Sequence, residues 1–153
     1  MFTPIIKNIE EKQYKLAVEA LVPFLDEEDE KVVAMAHYML GYINSRSDYS
    51  ERNSYQAKRY LRLNLNSNYP HPYGYVLYSQ VEEDPNIALN YLEKGTIRFP
   101  ENVRILIAFL RLSPDKNTVI RIIKERCIND VRLVSEVISQ LISTNQWNEI
   151  IFF

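Results

Sequence analysis

The side chains best able to do chemistry in this chain are few and far apart. Its two histidines are His37 and His71, and its single cysteine is Cys127. A metal ion would want further ligands at helix or turn spacing, and the cysteine is distant in sequence. His37 falls at a packing position of a helical pattern. His71 stands between Pro70 and Pro72, where a solvated turn residue is expected. Cys127 adjoins Arg126, whose charge would lower a thiol pKa, yet no histidine is close in sequence to act as base. A buried structural thiol is the preferred reading. Carboxylates cluster twice, as Glu82, Glu83 and Asp84 and as the run "DEEDE" at 26–30. Paired carboxylates can do acid–base work, but adjacent acids at helix ends ordinarily serve as caps and solvated faces. Nucleotide-binding and nucleophile-elbow motifs are absent, and the three glycines, Gly41, Gly74 and Gly95, make no phosphate-cradling loop. The chain reads as a non-enzyme that holds neither a metal nor a cofactor.

What remains is recognition chemistry. Ten of the eleven tyrosines lie between Tyr38 and Tyr91. Residues 94–132 carry nine Lys and Arg against four acids, whereas residues 1–30 carry three lysines against eight acids. The net charge of −2 gives no overall pull toward nucleic acid or anionic membrane. The lone cysteine cannot close an internal disulfide, so a reducing compartment is the default. The start "MFTPIIKNIEEKQ" lacks the apolar run of a signal peptide. The most apolar stretch, "ILIAFLRL", is broken by Arg111 and is too short to span a bilayer. A cytoplasmic protein is expected.

The elements that would position these residues are helical. Apolar residues recur at helical spacing along the whole chain, and no segment alternates with period two for long enough to be a strand. Thr3-Pro4 reads as a cap and first helical position. Ile5, Ile6 and Ile9 then form an apolar face, and Leu16, Ala17, Ala20, Leu21, Phe24 and Leu25 form the next. Pro23 should kink or shorten that second helix, and the acidic run suits the start of the third. Further helices are expected at 32–43, 55–65, 73–82, after Asp84-Pro85, at 102–112, 117–128 and 131–143. The stretch "NSRSDYSERNS" reads as a loop and "NSNYPHPYG" as a break.

Aligning the second helix of each pair reveals a repeat. Ala17 and Leu21 are four apart, as are Ala57 and Leu61, Ala88 and Leu92, and Val119 and Ile123. A period of roughly 30–40 residues in helix pairs is typical of repeat arrays. These residues resemble the tetratricopeptide repeat, W-x2-L-G-x2-Y followed by A-x3-F and P. Ala88, Leu92 and Pro100 match its last three landmarks, with leucine for phenylalanine. Leu40-Gly41 matches the L-G pair, with His37 at the tryptophan position and Asn44 at the tyrosine position. Pro70 follows Ala57 one residue late, and Asp29 replaces the proline after Ala17. The longer second unit, with its extra loop at 45–53, also resembles Sel1-like repeats. Ala57, Ala88 and Gly41 suit points where helices approach closely, and Gly95 is either another such point or a weak spot late in its helix.

The resemblance implies an all-α fold, a right-handed α-α superhelix (solenoid) of about five antiparallel helix pairs in a single domain. It also implies that the first helix of each pair lines a concave face. On that face would stand Tyr38, Tyr42, Tyr73, Leu77, Gln80, Arg104, Ile107 and Arg111. Aromatics at one end and arginines at the other suit an extended peptide with an apolar anchor and an acidic end. The plainer alternative is that the tyrosines pack between helices with their hydroxyls at the edge. The expected function is a protein- or peptide-binding scaffold. The rival is an RNA-binding helical-repeat module using Arg98, Arg104, Arg111, Arg121, Lys124, Arg126 and Arg132. The end "QWNEIIFF" begins a helix and stops on apolar residues. Arrays finish on a polar face, so the expectation is a piece of a longer protein, with a homodimer through that edge as the alternative.

Overall fold

A computed structural model describes residues 1–126 and 130–144. Cys127 and the segment 146–153 lie outside the described residues. Nine α-helices and a 3-10 turn are found among those described, with no strand: α1 Thr3–Glu10, α2 Tyr14–Leu21, the turn Val22–Asp26, α3 Glu30–Ser45, α4 Ser54–Leu65, α5 Pro72–Val81, α6 Pro85–Arg98, α7 Val103–Leu112, α8 Lys116–Glu125 and α9 Val131–Ser143. The all-helical reading therefore holds. Where the sequence reads as one domain, the contacts gather into two compact units, Met1–Glu83 and Asp84–Phe153.

Helix boundaries follow local chemistry. Asp29 caps α3 by accepting a hydrogen bond from the Lys31 amide, and Glu30 occupies its first turn. Asp84 caps α6 ahead of Pro85, accepting from the Asn86 amide at 2.8 Å. Asp115 caps α8 through the Thr118 amide and Asp130 caps α9. Each uses an acceptor side chain to satisfy an otherwise orphaned amide. The amino terminus differs from expectation. Phe2 is the N-cap of α1, without a side-chain bond, and Thr3 lies inside the helix. Pro23 acts as expected, ending α2 at Leu21 and turning the chain into the 3-10 segment.

In the first unit α1 packs on α2, α2 on α3, and α3 on both α4 and α5. Its core gathers Ile5, Tyr14, Ala17, Leu21, Ala36, Met39, Leu40 and Ile43. The loop at 46–53 is tied to the α1–α2 turn. Asp48 accepts from the Tyr14 hydroxyl at 3.0 Å, pairs with Arg46 at 3.1 Å and meets Lys12 at 3.4 Å. Arg46 beside it holds the Asp48 carboxyl well below the usual carboxylate range. In the second unit α7 is central, packing on α6, α8 and α9. Arg111 of α7 pairs with Glu136 of α9 at 2.8 Å, and Lys116 closes the end of α7 by donating to the Leu110 and Arg111 carbonyls.

The repeat positions are all interior. Ala17, Leu21, Ala57, Leu61, Ala88, Leu92, Val119 and Ile123 are each at most 1% exposed. The tightest approach is between α3 and α4. A methyl built on Gly41 would stand 2.6 Å from Leu61 Cγ and 3.1 Å from the Leu61 backbone nitrogen. Replacing a mid-helix glycine by alanine ordinarily stabilises by roughly 0.5–1 kcal/mol. Here overpacking outweighs that gain, because a backbone atom cannot swing aside as a side chain can. Gly41→Ala is expected to lower unfolding free energy by about 1–3 kcal/mol in urea titrations. Stabilisation would show that the helices are further apart than described.

Candidate functional site

The residues expected on a concave face divide between the two units. In the first unit Tyr38 and Tyr42 are half-buried neighbours on α3, with ring centroids 6.4 Å apart. Both pack against the core cluster. The Tyr38 ring stacks on His71 at 3.7 Å, and the Tyr42 hydroxyl accepts from Arg46 at 3.3 Å. Tyr73 begins α5 half-buried, Leu77 is buried within that helix, and Gln80 is exposed at its end. In the second unit Arg104 is exposed, Ile107 half-buried, and Arg111 committed to Glu136. Both tyrosines on α3 thus make packing contacts, and both keep part of their surface exposed.

A concavity lies elsewhere in the first unit, beside the first turns of α3 and the last turn of α4. It has a volume of about 310 Å³ and is open to solvent. Glu30, Val33, Ala34 and His37 present one face of α3 to it, at positions i, i+3, i+4 and i+7. Leu63 of α4 contributes an apolar side chain that is 43% exposed. Glu27 and Glu28 form one rim, and Asn66, Ser67 and Asn68 form the other. Glu30 accepts from Asn68 across the groove at 3.1 Å.

The second rim is built on Asn64. This side chain is fully buried, yet every polar group it carries is met. Its amide nitrogen donates to the Ala34 carbonyl of α3 at 2.8 Å and to the Tyr69 carbonyl at 3.4 Å. Its amide oxygen accepts from the His71 backbone at 2.9 Å. Ser67 bonds back to the Asn64 carbonyl and accepts from the Tyr69 amide. One residue therefore fastens α3, the end of α4 and the 66–71 turn. The sequence reading passed over it, although Asn64 falls on the apolar stripe Ala57, Leu61, Leu65. A polar side chain on such a stripe must find partners or destabilise the fold.

His71 is a structural cap. Its Nδ1 accepts from the Tyr73 amide at 3.2 Å, which fixes that nitrogen as unprotonated. Burial lowers its pKa from the ordinary histidine value. His37, on the groove floor, stacks with Tyr60 at 6.0 Å, and burial together with the charge of Arg59 lowers its pKa as well. Glu82, expected on a solvated face, is instead half-buried, its side chain 6% exposed and paired with Lys58 at 3.0 Å and the Tyr78 hydroxyl at 2.8 Å. That carboxylate ties the end of α5 to α4. No group of three or more metal-ligating side chains converges among the described residues, and no described helix is long and apolar enough to cross a membrane.

No family model, curated protein or solved structure matches this chain. The reading of the site therefore rests on its own geometry.

Two outcomes follow from the capped turn. Asn64→Ala leaves the His71 amide without its acceptor and is expected to cost about 2–3 kcal/mol, read as a shift of the urea midpoint. An effect below a few tenths would contradict the clasp. The second concerns pH. The folded pKa of His71 lies below its unfolded value, so the unfolded chain takes up the proton first. Stability from this residue is whole above pH of roughly 6.5 and falls as pH drops through it, levelling below the folded pKa. His71→Asn keeps a capping oxygen that does not titrate, and should flatten the fall between roughly pH 7 and 5, with His37 supplying the remainder. An unchanged slope would contradict this assignment.

Proposed function

We propose that this protein is a binding scaffold, holding a peptide or protein segment against preformed helix faces without making or breaking bonds. The observation that carries the reading is the open groove of about 310 Å³ at the α3–α4 hairpin. Rigid, partly apolar concavities with a few polar groups are where extended segments dock at least entropic cost. The residues with chemical potential are otherwise spent on structure: His71 caps, Glu82 and Asp48 tie elements together, and Tyr38 and Tyr42 pack. Helix pairing supports the tetratricopeptide-like reading within each unit, since α3 packs on both α4 and α5, and α7 on both α8 and α9. A superhelix that buries successive first helices side by side would produce those contacts.

The RNA-binding alternative draws less support. Arg111, Arg121 and Arg132 pair with Glu136, Glu125 and Asp130, and Arg126 donates to the Thr96 and Pro100 carbonyls. Cations already met by acceptors within the fold give up those contacts to reach a phosphate.

A fluorescence screen of the whole chain against a diverse peptide library tests the scaffold reading. Saturable binding in the range of roughly 1–100 μM is expected, typical of transient segment recognition. Absence of binding by any peptide, with salt-sensitive binding of RNA, would replace this reading by its rival.

A further inference from the structure

The groove has a chemical polarity of its own. Glu27, Glu28 and Glu30 line it on one side, over a floor of Val33, Ala34 and Leu63. Glu27 and Glu28 have no hydrogen-bond or ion-pair partner among the described residues, whereas Asp48, Glu82 and Glu136 are each paired with a cation. Stabilising the start of α3 does not account for them. Asp29 already caps that helix and Glu30 occupies its first turn, while Glu27 and Glu28 precede the cap. The side chains of Asn66, Ser67 and Asn68 also line it, and the Asn68 amide donates to Glu30 at 3.1 Å. Among the described residues, no lysine or arginine lines the groove. Burial and then the charge of Arg59 of α4 both lower the pKa of His37, which also lines the groove.

Resting on the scaffold reading above, we propose that this groove takes an arginine-bearing segment of a partner peptide. The guanidinium lies against Glu27, Glu28 and Glu30, and its aliphatic stem lies on Val33 and Leu63. The fit is one of charge and shape together. A guanidinium offers five donors in a planar fork and can bridge carboxylates, and its stem covers apolar surface that water otherwise wets. The like charges of Glu27, Glu28 and Glu30 repel each other, and a cation among them lowers that cost. The volume suits one long side chain with a short length of backbone, at the small end of ligand pockets.

The test is a heteronuclear NMR and fluorescence titration of the whole chain with a labelled octapeptide of alternating arginine and leucine. An octapeptide of alternating glutamate and leucine serves as control. The basic peptide is expected to shift the amides of Val33, Ala34, His37, Leu63 and Asn66–Asn68 and to bind more weakly as salt rises. The triple variant Glu27→Gln, Glu28→Gln, Glu30→Gln changes exposed side chains only, and should weaken binding about tenfold or more. Equal affinity for the acidic peptide, or an unchanged affinity in the triple variant, would overturn the assignment. Shifts centred on another face would also overturn it while leaving the scaffold reading intact. Shifts produced in the groove by magnesium chloride but not by the basic peptide would do the same. Failure of the basic peptide and of every library peptide together would instead remove the scaffold reading.

Discussion

Gly41 of α3 and Leu61 of α4 meet with no space for even one methyl group between them, and much of the first unit depends on that contact. Two helices approach so closely only where one side presents no side chain, and the larger residue opposite then fills the space. Fixing this distance sets where the rest of α4 lies against α3. Three residues beyond Leu61, Asn64 comes within reach of the Ala34 carbonyl, two turns before Gly41 on the antiparallel partner. The amide that bonds there also holds the 66–71 turn, and the turn delivers His71 as the cap of α5 beneath the Tyr38 ring. Packing and polar satisfaction thus form one chain of dependence.

The groove is a consequence of the same arrangement. Ala34 contributes both to its floor and to the Asn64 clasp, while Asn66–Asn68 form a rim anchored through Asn64 and Ser67. A surface supported in this way keeps its shape without a ligand, so a binding segment would pay little to order it. The first unit therefore combines that floor with two carboxylates, Glu27 and Glu28, that structure does not consume. Other carboxylates are committed to the fold: Asp48 binds the 46–53 loop to the α1–α2 turn, and Glu136 joins α9 to α7.

Much of this architecture was legible in the sequence because it is set by short-range rules. The small-x3-large positions repeat in register and every one is interior, since a helix buries a stripe of period 3.6. Asp84-Pro85 announced a helix start because capping depends on the residue itself and the next few amides. Thr3 did not cap, because the chain begins its first turn one residue sooner. The site was less legible. On α5, Gly74, Tyr75, Val76, Leu77 and Tyr78 are consecutive and all buried, so assigning Leu77 to an outward stripe had no one-sided face to rest on. Glu82 looked like one more acid at a helix end, and only the fold brings Lys58 and Tyr78 to it. For Tyr38 the pattern gave no sign of its stack on His71, thirty-three residues away in sequence, which only the fold supplies.

Native-state hydrogen exchange measures the α3–α4 contact most directly, because a seam that organises a unit opens only when the unit unfolds. The amides of Tyr42 to Asn44 and of Leu61 to Leu65 are expected to be the slowest in the first unit, with opening free energies equal to that of global unfolding. Exchange at those amides as fast as in α1, by local opening far below the global value, would contradict the account.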